Sequence, residues 1–423
     1  MESLVTEDSK SNTPVLTLCL VTVAVGVGSG FLGMLLAFLL HGIQHLAFGY
    51  SPLHIISDES FLAGVSASTP LRRVGILALC GLVAGVGWAL IYRYGKPLVS
   101  IVDAIHTTKK MPPVTTVLHA LLQIVTIALG SPLGREVAPR EVSAVFATWL
   151  STKAGLSVKE IKIMLACGAG AGLAAVYNVP LGGALFTLEV LLCTFTWSIA
   201  LPAITTSAIA VFVSWWGLGN EALYHIPNLE LCPTLIVWSI LTGPIFGFTA
   251  YWFIKIATAQ KARATHGWYM IAACLLNFTL IGVLAIYFPS LLGNGKSPAQ
   301  IEFAESVGLS LSAILLVLRC LITWSSLRAG AQGGLLTPSL ANGALLGVIF
   351  GIVWSYFVPG CPYEAFALVG ATAFLASAQK MPLTAIVLIF ELTRIDLVFL
   401  IPMMLATAGS VGMYYLIKQY HPD

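Results

Sequence analysis

The sequence predicts an all-α, polytopic membrane protein made of two repeated halves, and its composition is the first reason. Only 9% of the 423 residues are charged and 58% are hydrophobic, whereas soluble domains carry about 25% charged residues. A protein core cannot remove so much apolar surface from water, so we expect a bilayer to cover the rest. Apolar stretches that are long enough, or nearly so, to cross a bilayer recur at 15–40, 74–92, 114–129, 198–215, 234–254, 268–287, 311–324 and 396–417.

An internal repeat is the second reason. GAGAGLAAVYNVPLGGALFTLE at 168–189 aligns without gaps with GATAFLASAQKMPLTAIVLIFE at 370–391, with eight identical positions. YGKPLVSI and NGKSPAQI, and then GSPLGREVAP and GAQGGLLTP, repeat in the same order at an offset of about 200 residues. We expect halves at 14–216 and 234–423, a linker at 217–233 and a cytoplasmic tail at 1–13. Repeated halves, often inverted, are typical of transporters whose substrate site lies between them.

The charge distribution predicts how the chain lies in the membrane. Basic residues cluster at 93–110 and 255–263, whereas 46–70 has no Lys or Arg and carries Asp58 and Glu59. By the positive-inside rule, the first two connections face the cytoplasm and the third faces outward. The net charge of +3 is too small to indicate nucleic acid as a partner.

Motifs for metals, cofactors and nucleotides are not found. Eight cysteines show neither C-x-x-C pairs nor the spacing of metal or haem sites. The sequence has no P-loop, so nothing in it indicates an ATP-driven pump. Cys232 and Cys361 each stand beside a proline in a connection, where they could pair or stay reduced.

GSPLGREVAPRE at 130–141 places four charges, two prolines and two glycines between two apolar helices. Interrupted backbone at membrane depth is tolerated only where protein or a watery cavity surrounds it. The helix that follows presents free N–H donors and a positive dipole end, which favour an anion. GAQGGLLTP at 330–338 has the same character, and YGKPLVS at 94–100 is expected to open a third helix with its proline in the first turn. One helix end contributes about 1 kcal/mol, so several ends must converge to hold an ion.

These segments resemble those of a known family. GREVAP resembles the G-R/K-E-G-P signature of the CLC chloride channels and chloride/proton antiporters, and GGLLTP resembles their G-x-F-x-P element. YGKPLVS stands where their G-S-G-I-P element is expected, and the two long repeated segments are similar to Gly/Ala-rich segments of the family. The resemblance covers residues from about 15 to 420. It implies a homodimer with one anion pathway per subunit, in a short form typical of a prokaryotic plasma membrane.

Glu136 is the candidate gate, because a carboxylate at a helix N-terminus occupies the place of an anion and leaves it on protonation. The alternative is that Glu136 caps its own helix or pairs with Arg140. Arg135 either adds positive potential or holds a nearby carboxylate. The resemblance implies anion binding by segments from three helix starts, namely Tyr94, Gly95, Lys96, Gly134, Arg135, Val137, Gly333, Gly334, Leu335 and Leu336.

Other polar residues within apolar runs have two readings each. Arg319 is either a functional charge or a structural arginine that bonds helix ends. Glu189 and Glu391, related by the repeat, either satisfy backbone donors or face the cytoplasm, or else touch the transported ion or proton, with Glu189 the candidate for a proton path. Three histidines are interpreted as packing residues, namely His41, His45 and His119.

The sequence departs from the family pattern at several positions. Val137 and Ala138 replace a single glycine beside the gate, and no serine precedes Gly95. Leu336 stands where the family has phenylalanine. The tyrosine that completes the inner site in many members cannot be assigned to any of three candidates near the end, Tyr414, Tyr415 and Tyr420.

Val190 decides which mode of transport the sequence favours. In proton-coupled members a second glutamate follows the residue that corresponds to Glu189, and here Val190 follows it. We therefore expect chloride transport by a passive channel, with a proton-coupled chloride or fluoride antiporter as the alternative. An intramembrane enzyme would have to use His119 and Glu136, which lie on separate elements without a nucleophile or metal motif.

Overall fold

The computed structural model of the chain describes residues 13–50, 60–304 and 308–420. Most of the expected cytoplasmic tail, and also Asp58 and Glu59, lie outside these ranges. The described residues fold into α-helices, and their only β-type pairing is one isolated bridge.

Helices of the first half alternate between long spans and short segments. They are α1 (Val15–Phe48), α2 (Phe61–Ala67), α3 (Pro70–Tyr94), α4 (Ile101–His106), α5 (Pro113–Ala128), α6 (Val137–Lys153), α7 (Val158–Tyr177), α8 (Pro180–Leu185) and α9 (Trp197–Leu218). A π-helical turn, Phe186–Leu191, continues α8.

Helices of the second half repeat this order without a counterpart of α2. They are α10 (Pro233–Ala262), α11 (Tyr269–Tyr287), α12 (Lys296–Ala304), α13 (Leu309–Ala329), α14 (Leu336–Ser355), α15 (Tyr363–Gln379), α16 (Pro382–Thr393) and α17 (Leu400–Tyr420). The predicted repeat is therefore present element by element.

The two halves have opposite orientations once the basic connections are placed in the cytoplasm. The connection at 93–110 follows α3, so α3 runs inward and α1 runs outward. The connection at 255–263 ends α10 and precedes α11, so α10 runs inward and α11 outward. Each matched pair, α1 with α10 and α3 with α11, thus crosses in opposite directions, which is the expected inverted arrangement.

Nine helices in the described part of the chain are long and apolar enough to cross a membrane. Seven of the eight apolar stretches noted in the sequence correspond to such helices, and the eighth is the shorter α5. The two further spans, α7 and α14, have 83% of their most apolar window buried inside the protein. They face protein rather than lipid, and both carry glycines at their helix contacts: eight of the 20 residues of α7 and five of the 20 residues of α14 are glycine or alanine.

Close backbone packing accounts for these small residues. A Cβ added at Gly343 of α14 would lie 2.5 Å from the carbonyl oxygen of Gly370 in α15, and the reverse distance is also 2.5 Å. In the first half, a Cβ added at Gly168 of α7 would lie 2.7 Å from the carbonyl oxygen of Ser143 in α6. Small residues at helix contacts let membrane helices approach closely where hydrophobic exclusion from water does not drive association.

Arg319 of α13 bonds the backbone at the centre of the molecule. It is fully buried, and its Nη1 donates to the carbonyl oxygens of Leu291 at 3.0 Å and Gly293 at 2.9 Å. Its Nη2 donates to the carbonyl oxygen of Pro132, in the break between α5 and α6, at 3.2 Å. These contacts agree with the structural interpretation of Arg319.

The linker between the halves is shorter than expected, because α9 continues to Leu218. A disulfide between Cys232 and Cys361, 129 residues apart, joins the end of this linker to the connection between α14 and α15. The sequence left this pairing open.

We expect Arg319→Met to destabilise the protein by about 3 kcal/mol or more, because three buried carbonyls lose their donor at about 1–3 kcal/mol each. Thermal unfolding in detergent measures the change. Arg328→Met, which alters an exposed arginine of the same helix, is the control and should shift stability by only about 0.5 kcal/mol. An unchanged unfolding midpoint for Arg319→Met would contradict the structural role.

We expect a membrane-impermeant maleimide to label Cys232 and Cys361 in intact cells only after reduction. The reason is that a disulfide forms on the oxidising side of a membrane, and the charge distribution places both residues outside. A chain with Cys232→Ser and Cys361→Ser is the control and should show no reduction-dependent labelling. Equal labelling of the unaltered protein with and without reductant would show that the pair is not bonded there.

Candidate functional site

The two interrupted segments meet at the centre of the molecule. Gly134 N donates to Gly334 O and Gly334 N donates to Gly134 O, both at 2.8 Å, in an antiparallel bridge. All of the residues at 129–136 are buried. The broken backbone is therefore enclosed by protein, as the apolar surroundings require, and the starts of α6 and α14 are brought together.

Glu136 lies at this meeting point with 1% of its surface exposed. Its Oε1 accepts a hydrogen bond from the backbone N–H of Leu336, the first residue of α14, at 2.7 Å. It makes no side-chain capping bond to its own helix α6. The carboxylate thus occupies the N-terminus of the opposite half, which corrects the alternative that Glu136 caps α6.

Two glycines make room for this carboxylate. A Cβ added at Gly134 or Gly334 would collide with the side chain of Glu136. The same two residues form the bridge between the breaks, so their lack of a side chain serves both contacts. The second oxygen, Oε2, is buried and has no hydrogen-bond partner among the described residues, so the carboxylate is held by one strong bond.

Arginines surround Glu136 without forming an ion pair with it. The guanidinium of Arg135 lies over the Tyr177 ring at 5.1 Å, and that of Arg140 lies over the Phe186 ring at 4.4 Å. Within the described ranges, the one ion pair is between His119 and Glu141. Both arginines nevertheless interact electrostatically with Glu136. The alternative of a Glu136–Arg140 salt bridge is therefore not found.

The starts of α6 and α14 carry a proline at the same position. Pro139 and Pro338 are the third residues of α6 and α14, where a proline costs no intrahelical bond. The side chain of Thr337 is oriented by Tyr177, whose hydroxyl lies 3.2 Å from the threonine Oγ1. Of the predicted anion-binding residues, the two breaks bring together Gly134, Arg135, Val137, Gly333, Gly334, Leu335 and Leu336.

The YGKPLVS segment behaves differently from the prediction. Its helix, α4, begins at Ile101 after an N-cap at Ser100, so Pro97 lies before the helix and not in its first turn. Gly95 N donates to Ile91 O at 2.8 Å and Lys96 N donates to Thr115 Oγ1 at 3.1 Å, so these donors are already used.

Tyr94, Gly95 and Lys96 instead line an open cavity of about 560 Å³ together with the start of α5. Tyr94 is 74% exposed. The structure therefore does not bring these three residues to Glu136, and their role in anion binding stays a prediction.

Glu189 and Glu391 make reciprocal contacts between the halves. Glu189 accepts from the backbone N–H of Leu383 at 3.0 Å and of Thr384 at 2.7 Å, at the start of α16. Glu391 accepts from Leu181 N at 2.9 Å and Gly182 N at 2.7 Å, at the start of α8. Both carboxylates cap helices, as one of the two readings predicted. Val190 is half-buried beside Glu189.

His119 contacts Glu141 and Gln123 in the described part of the chain. His119 Nδ1 lies 2.9 Å from Glu141 Oε2, and Gln123 Nε2 contacts both side chains. His119 is buried against the ring of Trp88, with centroids 6.4 Å apart, so it packs as predicted and in addition contacts Glu141. His45 packs against the ring of Tyr50, with ring centroids 4.2 Å apart.

Three residues near Glu136 were missed in the sequence. Tyr177 contacts Arg135, Tyr224 of the linker is fully buried, and Lys296 at the start of α12 interacts electrostatically with Arg135. The match between YGKPLVSI and NGKSPAQI was a usable signal for Lys296, because it equates that residue with Lys96. No sequence pattern marks the two tyrosines.

Comparisons with known proteins agree with this arrangement. Residues 75–414 match the family described as voltage gated chloride channel. The chain is 26% identical over 377 residues to the voltage-gated ClC-type chloride channel ClcB of Citrobacter koseri, covering 86% of this chain and 89% of that one. It is 28% identical over 376 residues to the ClcB of Escherichia coli O9:H4, covering 85% and 88%.

Solved structures share the fold at lower identity. The crystal structure of a slow cyanobacterial Cl⁻/H⁺ antiporter superimposes with a TM-score of 0.80 at 18% identity, covering 95% of both chains. A CLC-type fluoride/proton antiporter gives 0.66 at 19% identity, covering 96% of both. Because the family match covers far more than half of the chain, this multi-pass membrane protein belongs to the CLC family of voltage-gated chloride channels, a family of anion transporters.

Proposed function

We propose that this protein conducts small anions, chloride among them, through a pathway that Glu136 gates. The observation that carries the proposal is the contact between Glu136 Oε1 and the backbone N–H of Leu336. A carboxylate there fills the place where the start of α14 would bind a free anion.

The electrostatics of the centre favour anions over cations. The positive ends of α6 and α14 face one another across the Gly134–Gly334 bridge, and Arg135 and Arg140 lie close by. One helix end contributes about 1 kcal/mol, up to about 2 when partly buried, while burying an ion costs several kcal/mol. Two helix ends with two guanidinium groups are a sufficient set for a small anion, and they repel a cation.

Glu136 is held in a way that suits a gate. One oxygen has a single backbone donor, and the other has no partner among the described residues. Protonation removes the negative charge, weakens this charge-assisted bond and lets the side chain leave the helix end to an incoming anion. Anion flux should therefore rise as the pH falls.

Passive conduction is the mode that the residues favour. A coupled exchanger needs a protonatable group that carries protons between the cytoplasm and Glu136. Val190 has no such group, and the oxygens of Glu189 accept hydrogen bonds from the start of α16.

Proton-coupled exchange is the second candidate, and a specific contact favours it. His119 and Glu141 form a protonatable pair, and Glu141 follows Glu136 by five residues on α6, about 7.5 Å along the helix. This pair lies on the cytoplasmic side of the gate. Two of the solved relatives described above are proton-coupled antiporters.

We expect Glu136→Gln to keep or increase chloride efflux from liposomes and to lose most of its pH dependence, because the amide mimics the neutral carboxyl group. Efflux at two pH values from folded protein measures both effects. Glu160→Gln is the control, since Glu160 is a buried glutamate in the capping box at the cytoplasmic start of α7, and it should keep the pH dependence of the unaltered protein.

A well-folded Glu136→Gln protein with the original pH dependence would place the gate elsewhere. A protein that unfolds would support a purely structural glutamate, since the buried N–H of Leu336 would lose its charged acceptor.

We expect chloride to leave loaded liposomes without coupled proton uptake, and potassium flux to stay far below chloride flux. A pH electrode and a chloride electrode record both ions in the same sample. A fixed ratio of protons to chloride would reject passive conduction, and loss of the proton signal in Glu141→Gln with chloride flux retained would assign the exchange to the His119–Glu141 pair. Comparable potassium and chloride fluxes would reject the anion pathway itself.

A homodimer with one pathway in each subunit is part of the proposal, and the family resemblance alone supports it. Mass measurement of the purified protein in detergent tests it. A fully active monomer would contradict it.

A further inference from the structure

Tyr224 lies in the linker between the halves, yet its side chain is fully buried. Its backbone N–H donates to the carbonyl oxygen of Leu392 at 3.0 Å, and its ring packs edge-on against Phe303 with centroids 5.2 Å apart. The next residue, His225, exchanges two backbone hydrogen bonds with the side chain of Gln300 in α12. These contacts fix the linker so that the Tyr224 ring points into the molecule.

The Tyr224 hydroxyl has no hydrogen-bond partner among the described residues. An unpaired buried hydroxyl is unfavourable, and buried tyrosines normally find a partner. Phenylalanine would make the same ring contact with Phe303 without this cost. The hydroxyl is therefore available to a partner that is not part of the protein, either a ligand or a water molecule.

The charged groups that act on Tyr224 electrostatically include those of the Glu136 centre. Tyr224 interacts electrostatically with Tyr177, Arg135, Arg319 and Glu136. Arg135 Nε is buried without a partner, and so is Glu136 Oε2. An anion between these groups would accept from the hydroxyl and from Arg135.

Tyr224 approaches this centre from outside the cell. The linker precedes α10, which runs inward from its start, so the linker lies on the outer side. We therefore place Tyr224 on the outer side of the start of α14, where the carboxylate of Glu136 lies.

We propose that the Tyr224 hydroxyl donates a hydrogen bond to the transported anion at an outer site, between the linker and Glu136, where Arg135 supplies the positive charge. The ligand is a small, largely dehydrated monovalent anion such as a halide. This inference rests on the proposed function, because the anion at this site is the one that displaces the Glu136 carboxylate.

Tyr224→Phe tests the proposal, because it removes one oxygen and keeps the ring. Calorimetric titration of the purified protein in detergent, with sodium chloride and separately with sodium fluoride, measures anion affinity. Hydrogen bonds to charged groups are the strong ones, so we expect the variant to bind its preferred anion about tenfold or more weakly. Its thermal stability without halide should equal or exceed that of the unaltered protein, because the hydroxyl has no protein partner.

Tyr251→Phe is the matched control. Tyr251 is also buried, and its hydroxyl accepts from Lys255 at 3.2 Å near the cytoplasmic end of α10. This variant should bind the anion as the unaltered protein does. As a second readout, added chloride should raise the unfolding temperature of the unaltered protein and of Tyr251→Phe more than that of Tyr224→Phe.

Anion affinity and halide-dependent unfolding that are unchanged in Tyr224→Phe would overturn the proposal and leave a water molecule as the partner of the hydroxyl. That outcome would not affect the proposed function, which fails only if the unaltered protein moves no anion from liposomes.

Discussion

The paired hydrogen bonds between Gly134 and Gly334 are the contact on which the candidate site depends. Two helices are interrupted inside an apolar protein, and their backbone groups must find partners there because no water is at hand. The two breaks pair some of their backbone N–H and C=O groups with each other, and these hydrogen bonds hold them side by side. The N–H of Leu336 at the start of α14 then meets Glu136, whose side chain fits there because neither glycine has a side chain.

Reciprocal contacts across an approximate two-fold axis recur away from this centre. Glu189 caps α16 and Glu391 caps α8, so each half satisfies a helix start of the other. Such an arrangement follows from a repeated chain, since a contact made in one sense is also made in the other. It holds the halves together through charged groups bonded to backbone donors, which are strong bonds in an apolar surrounding.

The site itself lies where this symmetry is broken. Glu136 bonds to Leu336, which stands 200 residues later, one position after Leu335, the residue that matches Glu136 in the repeat. One half supplies the carboxylate, and the other half supplies the N–H that donates a hydrogen bond to it. A single negative charge therefore lies where the positive ends of α6 and α14 come together. Two acidic residues there would repel each other, and two apolar residues would leave the helix ends unsatisfied. A single mobile carboxylate is compatible with both a closed state and an anion-filled state.

The sequence by itself determined the membrane setting, the repeat and the helix breaks, and the resemblance of GREVAP to a family signature singled out Glu136 as the candidate gate. Composition and periodicity depend only on which residues are apolar, and glycine and proline act on the local backbone, so these features can be read without tertiary contacts. The prediction that Pro97 lies in the first turn of a helix was wrong, because proline is compatible both with a first helical turn and with an extended segment. The Ser100 cap, three residues later, sets the start of α4 at Ile101.

Tertiary structure alone decided which helix end the carboxylate of Glu136 occupies and which charges face it. Leu336 is 200 residues away, and no local pattern specifies that its N–H meets Glu136 and not a donor of α6. His119 and Glu141 meet for a similar reason, since they lie on helices separated by the break. Tyr224 stands in a polar linker, and its burial results from contacts with α12 and α16 that only the packed chain creates. Patterns along a sequence report local backbone preference and burial, whereas the partner of a polar side chain depends on how distant elements pack.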